Sequence, residues 1–261
     1  MLVAFTFQKY SIRQAEGKVI FLLRMEKKDD GNFGYNKSFH SFVAEYVIME
    51  PKERIQKKAH EMFLRYGIRS ISMDDIASQL GMSKKTIYQF FSDKDELVDA
   101  VMGDEVARTQ HDCEFCKKNA RDAIDEIILT LEQLYDQFSQ LNPMVLYDAE
   151  KFHPSAFEIF RIMKEEYLLQ VIAHNIRRGI KEELYRADIN VETMSRFRVE
   201  TMMVPFAMAA SSPTKFNLAD VTRETMEHFL FGLSTLKGHK LIIKYKEEQL
   251  KKKQNENTRK K

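Results

Sequence analysis

From residue 51 onward, apolar positions recur at helical spacing along most of the chain. Ile55, Ala59, Met62, Phe63 and Tyr66 place one stripe on a helix running from about Pro51 to Tyr66, and Gly67 ends it. Ile76, Ala77 and Leu80 do the same for a short helix after Ser72, and Gly81 follows where a helix needs a left-handed stop. Ser83 is positioned to cap a further helix by accepting a backbone N–H that the first turn leaves unpaired. That helix is predicted to span nine residues with only Ile87 and Phe91 as a buried stripe. Lys84, Lys85, Thr86, Tyr88 and Gln89 are left facing outward. Ser72 with Asp75, and Ser92 with Asp95, have the spacing of capping boxes.

A fourth helix, about Lys94 to Cys116, carries Leu97, Val98, Val101, Met102 and Val106 on its apolar face. Further helices are predicted near 119–140, 143–151, 155–184, 191–207 and 217–237. Pro143, Pro154 and Pro213 fall at or near their starts, and Pro205 breaks the penultimate one near its end. Residues 1–48 lack helical periodicity and contain a Gly-Asn-Phe-Gly loop at 31–34. They are read as an extension, disordered or upstream of a true start at Met49. A minor-groove arm is the lesser alternative, because such arms are richer in Arg and Lys.

Two short helices around a tight turn, the second exposing charge where it would otherwise hold core, follow the logic of a helix-turn-helix. Its second helix lies in the DNA major groove. The run Ala59, Phe63, Tyr66-Gly67, Ser70-Ile71-Ser72, Ile76-Ala77, Gly81-Met82-Ser83, Thr86-Ile87-Tyr88, Phe91-Ser92-Asp93-Lys94 and Leu97 resembles the N-terminal domain of the tetracycline-repressor (TetR) family over about 50 residues without a gap. The resemblance implies an all-α homodimer, with a three-helix DNA-binding head and a larger helical body for effector binding and dimerisation. It implies domains at 49–96 (head) and 97–237 (body), a dimer interface built from 191–207 and 217–237, and double-stranded DNA and a small-molecule effector as partners. It also implies that the fourth helix transmits effector binding to the spacing of the two heads.

Charge sharpens this picture. Residues 51–94 hold nine Lys/Arg against five Asp/Glu, residues 95–236 hold 15 against 25, and the last 25 residues hold ten against three. A basic head on an acidic body orients a protein on a polyanion. The lysine-rich end, 238–261, reads as a solvated, partly frayed helix end, with non-specific attraction to DNA as a weaker second role. No apolar run approaches the roughly 18 to 20 residues of a membrane span. Only two cysteines occur, which fits a reducing, cytoplasmic setting.

By resemblance, the DNA-contacting positions are Ser72, Ser83, Lys84, Lys85, Thr86, Tyr88, Gln89 and Lys94. Lys94 opens a helix, where backbone amides and an ammonium together grip a phosphate. Tyr88 suits a phosphate hydrogen bond, and Lys85 or Gln89 can reach a base edge. Two positions depart from the family pattern: Phe90 stands where His or Tyr is frequent, and Lys85 where Gly is frequent.

Cys113 and Cys116 are helical neighbours that suggest a metal or redox site. Zinc wants four ligands and no second cysteine pair exists, so they read as ordinary helix residues and no metal or cofactor is expected. Phe115, Tyr135, Phe138, Tyr147, Phe152, Phe157 and Phe160 are core or cavity lining, which spacing does not divide. An all-helical enzyme is the competing class. It is disfavoured by the lack of a phosphate-binding Gly loop, a His-Glu-x-x-His or a nucleophile elbow. A DNA-independent interaction module on the same body is a further variant.

Overall fold

The computed structural model describes residues 10–15, 18–23 and 50–259, which fall into two units, Met1–Arg54 and Ile55–Lys261. In the first, β1 (Tyr10–Ala15) pairs antiparallel with β2 (Lys18–Leu23), Tyr10 opposite Leu23 and Ala15 opposite Lys18. The sequence predicts no element here. Val19, Ile20 and Phe21 are β-favouring residues in an apolar run too short for its periodicity to report strand pairing. The reading of 1–48 as an extension otherwise lies outside the described residues.

The second unit is all-α. α1 (Pro51–Tyr66) buries Ile55, Ala59, Met62 and Phe63, but Tyr66, expected in that stripe, is half exposed at the helix end. α2 (Met73–Leu80) carries the predicted capping box. The Ser72 hydroxyl accepts from the Asp75 amide, and the Asp75 carboxylate accepts from the Ser72 amide. Gly81 follows at φ 63°, a conformation that costs any residue with a Cβ. α3 is shorter than predicted, Lys84–Tyr88, because the chain turns after Tyr88 to bring Phe91 inward. α4 (Lys94–Asn119) is capped by Asp93 rather than Ser92: the Asp93 carboxylate accepts from Glu96 N at 2.8 Å, and the Ser92 amide donates to the Glu96 carboxylate.

The body continues with α5 (Ala123–Phe138), α6 (Val145–Phe152) and α7 (Pro154–Ile162). A π-helical segment, Met163–Leu168, joins α7 to α8 (Leu169–Lys181). α9 (Val191–Thr201) and α10 (Val204–Ser211) replace the single predicted helix 191–207. Pro205 sits in the first turn of a new helix, where its missing N–H costs nothing, instead of ending the old one. α11 (Leu218–Leu233) and α12 (Leu236–Arg259) complete the unit.

Two clusters form the interior. One joins Ile55, Phe63, Ile87 and Leu97 to Val145, Ala149 and Ala156, so the first four helices share their core with α6 and α7. The other gathers Ile124, Ile128, Ile176, Tyr185, Leu230 and Leu233 with Ile242 and Tyr245. Those last two belong to α12, so the basic C-terminal segment is not merely a solvated end. Its first turns pack on α5, and the Tyr245 hydroxyl donates to Asp122 at 2.5 Å beneath the Arg121 guanidinium. Gly238 permits this seat, since a Cβ there would stand 2.2 Å from the Leu184 carbonyl oxygen.

Candidate nucleic-acid interface

α3 is fixed from beneath and free above. Ile87 is fully buried, Phe91 nearly so, and together they pin the helix to α1, α2 and α4. Its N-terminus is closed by Ser83, whose hydroxyl accepts from the Thr86 amide at 3.1 Å and bonds the Thr86 hydroxyl at 2.8 Å. Ser83, Lys84, Lys85, Tyr88 and Gln89 are exposed, and Thr86 is half-buried by its bond to Ser83. A short helix with one buried anchor and a row of donors on its open side can enter a groove and meet phosphates and base edges.

The row is not uniform. The Lys84 ammonium is 2.9 Å from the Asp74 carboxylate on α2, a bond that raises its pKa. DNA phosphates would compete with Asp74 for it. Lys85 makes no ion pair among the described residues. Ser72 is exposed, but its hydroxyl also donates to Asp75 at 2.6 Å, so it serves the start of α2 before any ligand. The same hydrogen bonds, with the Ser72 side chain first, hold the Asp75 carboxyl below its ordinary range.

Lys94 departs from its expected geometry. Its ammonium donates to the Ile68 carbonyl at 2.7 Å and lies 5.8 Å from the Phe63 ring centre, closing the α1–α2 loop. Burial pulls its pKa down, opposed by the carboxylates of Asp148, Asp95 and Asp75. The first duty of this side chain is therefore to hold α4 against the loop.

Three of the polar contacts that tie these helices to the rest of the unit lie close to the candidate interface, and none has a short sequence signature. The Asn142 amide donates to the Leu64 carbonyl at 2.7 Å, the Arg69 amide donates to buried Asp148 at 3.0 Å, and buried His153 meets Asp95 at 2.5 Å. They join residues 58 to 79 positions apart, a range over which local pattern carries no information.

Elsewhere, Cys113 is pushed up to about 12 by burial and the nearby Cys116 thiol. Cys116 is buried, which raises its thiol above the ordinary range, and it donates to Gln133 Oε1 at 3.0 Å. Among the described residues, no three His, Cys, Asp or Glu side chains gather as a metal set, and no helix is long and apolar enough to cross a membrane. Of the aromatic residues weighed as cavity lining, Phe115, Tyr147 and Phe152 are exposed. A cleft of about 300 Å³ opens instead between α4 and the π-helical segment with α8, lined by Cys113, Lys117, Tyr167, His174 and Arg177 among others.

Comparison with known proteins supplies the context. Residues 55–101 match the family described as bacterial regulatory proteins, tetR family. An uncharacterized HTH-type transcriptional regulator of Bacillus subtilis, YvaF, is 29% identical over 102 residues, 38% of this chain and 54% of that protein. An HTH-type transcriptional regulator of Staphylococcus aureus, SAUSA300_2515, is 42% identical over 48 residues, 18% of this chain and 26% of the relative. The chain thus spans about half of one curated relative and a quarter of the other. A TetR-family transcriptional regulator from Agrobacterium tumefaciens shares the fold at a TM-score of 0.58 and 14% identity, covering 70% of this chain and 97% of its own. The regulator FadR of Bacillus subtilis, solved with stearoyl-CoA, does so at 0.53 and 15%, covering 69% and 98%.

Proposed function

This chain belongs to the tetR family of bacterial regulatory proteins, and from that premise we propose that it is a sequence-specific DNA-binding transcriptional regulator. In this reading it is a cytoplasmic homodimer on a near-palindromic operator, and a small molecule bound in the helical body releases it as a repressor is released. No catalytic step is assigned to it. The observation that carries the proposal is the exposed row Ser83, Lys84, Lys85, Tyr88 and Gln89 above the buried Ile87 anchor. It lies in a segment whose basic residues outnumber its acidic ones, nine to five.

Lys85 and Gln89 are the base-reading candidates. Ser83, Thr86 and Tyr88 serve the phosphates, and Lys84 joins them once Asp74 yields it. Ser72 and Lys94 act chiefly by holding α2 and α4 in place. Support for pairing comes from the outer faces of α9 and α10, where Phe197 is 52% and Val204 42% exposed. Large exposed apolar side chains on adjoining helices suit an interface with a second copy.

The test is a gel-shift titration on DNA flanking the coding region, with stoichiometry read by analytical ultracentrifugation. Two chains per site, with binding that weakens as salt rises, are expected. A monomer in solution and on DNA would refute the dimeric reading, and no shift on any such DNA would refute regulation at its own locus.

A further inference from the structure

α9 has a sharply divided surface. Glu192, Arg196, Phe197 and Glu200 are exposed, while Ser195, Arg198 and Val199 are buried. At about 100° per residue, Arg198 falls near the middle of the inward face, opposite that exposed row. It is 8% exposed. Other buried charged or titratable side chains in the body have a polar partner: Asp125 has Arg121, Glu126 has Arg178, Asp148 has the Arg69 amide and His153 has Asp95. Arg198 differs. Among the described residues its guanidinium has no hydrogen bond and no ion pair, only the Phe229 ring centre 6.0 Å away.

A guanidinium so nearly buried is costly to desolvate and does not escape by losing its proton. None of its nitrogens is a fully buried atom without a partner, so it keeps the slight exposure through which a ligand can reach it. Burial lowers its pKa to about 10 with no charged neighbour opposing, so it remains a cation near neutrality. Its neighbours include buried Ser195 and several adaptable apolar side chains. Met194 and Met202 flank it one turn away on the same face, and Phe229 is packed from α11. A single buried positive charge is matched by a monoanion, and the two-pronged donor fork of arginine fits the two oxygens of a carboxylate. The face of α9 that could meet a second copy is the opposite one, so such a copy is poorly placed to supply the anion.

We propose that Arg198 anchors the carboxylate of an apolar organic acid inside the helical body, so that acids of this class are the effector. The proposal rests on the reading of the body as an effector-binding module, and it assigns that module its ligand chemistry.

The test is thermal unfolding of the full chain, without DNA, in the presence of decanoate or of decanol, which has the same tail without the charge. Saturating decanoate should raise the midpoint by about 5 °C and decanol by far less. In R198M the decanoate shift should vanish, while the ligand-free protein unfolds at the same temperature or higher, because an unpaired buried charge has been removed. R198K keeps the charge but loses the fork, and should bind decanoate about tenfold more weakly; this variant decides the matter should R198M not fold. An equal shift with decanol, no shift with decanoate, or unchanged decanoate binding in the variants would each overturn the proposal. Because no DNA is present, failure to bind or release an operator leaves this result untouched and counts only against the regulatory reading.

Discussion

The Lys94 ammonium lies 2.7 Å from the Ile68 carbonyl oxygen, so the first residue of α4 closes the loop between α1 and α2. This bond sets the geometry from which α3 is presented. Lys94→Met should lower unfolding stability by about 1 kcal/mol, the order expected for a part-exposed charged hydrogen bond. It should also weaken binding to all DNA sequences alike. Chemical denaturation and a salt titration check the two effects separately. A salt slope that falls by about one phosphate would show that the ammonium also reaches the backbone, and an unchanged slope would leave its role purely positional.

Asp74 holds Lys84 away from any ligand at 2.9 Å. Asp74→Asn removes one negative charge beside the basic row and frees one ammonium. Affinity for random DNA should rise severalfold and the salt dependence should steepen, as fluorescence anisotropy at two ionic strengths would show. Unchanged affinity would mean that α2 does not face the duplex.

Gln89 and Lys85 are exposed, their side chains suit base edges, and unlike Lys84 neither is held by an ion pair among the described residues. Gln89→Ala or Lys85→Ala should relax preference at one operator position, costing about 1–3 kcal/mol there. Competition among single-base operator variants measures this. Uniform loss at every position would place both residues on phosphates.

Glu105 supplies a pH dependence. Burial pushes its carboxyl up, but the hydrogen bond to His60 and the charge of Arg108 outweigh that and hold it below the ordinary range. A depressed folded pKa contributes stability above the unfolded value and loses it as pH falls through the folded one. Glu105→Gln should therefore be less stable than the parent near neutrality, and the gap should close below about pH 4. Denaturation midpoints from pH 3 to 7 test it.

Gly238 lets α12 approach the Leu184 carbonyl, and Gly238→Ala should cost about 1–3 kcal/mol as that contact is forced apart. Loss of protection at Tyr245 and its neighbours in hydrogen exchange would locate the damage. A variant as stable as the parent would show that the seat is loose.

What was legible in the sequence follows the range of the forces involved. The capping box at Ser72 and Asp75, the turn at Gly81 and the Ile87 anchor depend on residues within a few positions of each other, and the structure has them as read. Ile242 and Tyr245 lie one turn apart, but lysines crowd them, so composition hid an apolar stripe that packs on α5. Pro205 marks the break that the sequence predicts in 191–207 but opens the new helix rather than closing the old one, because a proline does either by the same chemistry and only the flanking chain distinguishes the two. The inward turn of Lys94 depends on the Ile68 carbonyl 26 residues earlier, and the burial of Arg198 on packing against α11. Neither leaves a local trace. At the candidate site, residue types and exposure were readable, as was the capping role of Ser72, whereas the engagement of Lys84 and Lys94 with the protein itself was not.

The most direct test of the central claim is selection of bound sequences from a random DNA pool by the purified full chain at two salt concentrations. Enrichment of a near-palindrome whose half-sites lie about one helical turn or a multiple apart, retained at the higher salt, is expected. Salt-sensitive retention of DNA without any enriched sequence, or no retention at all, would contradict it.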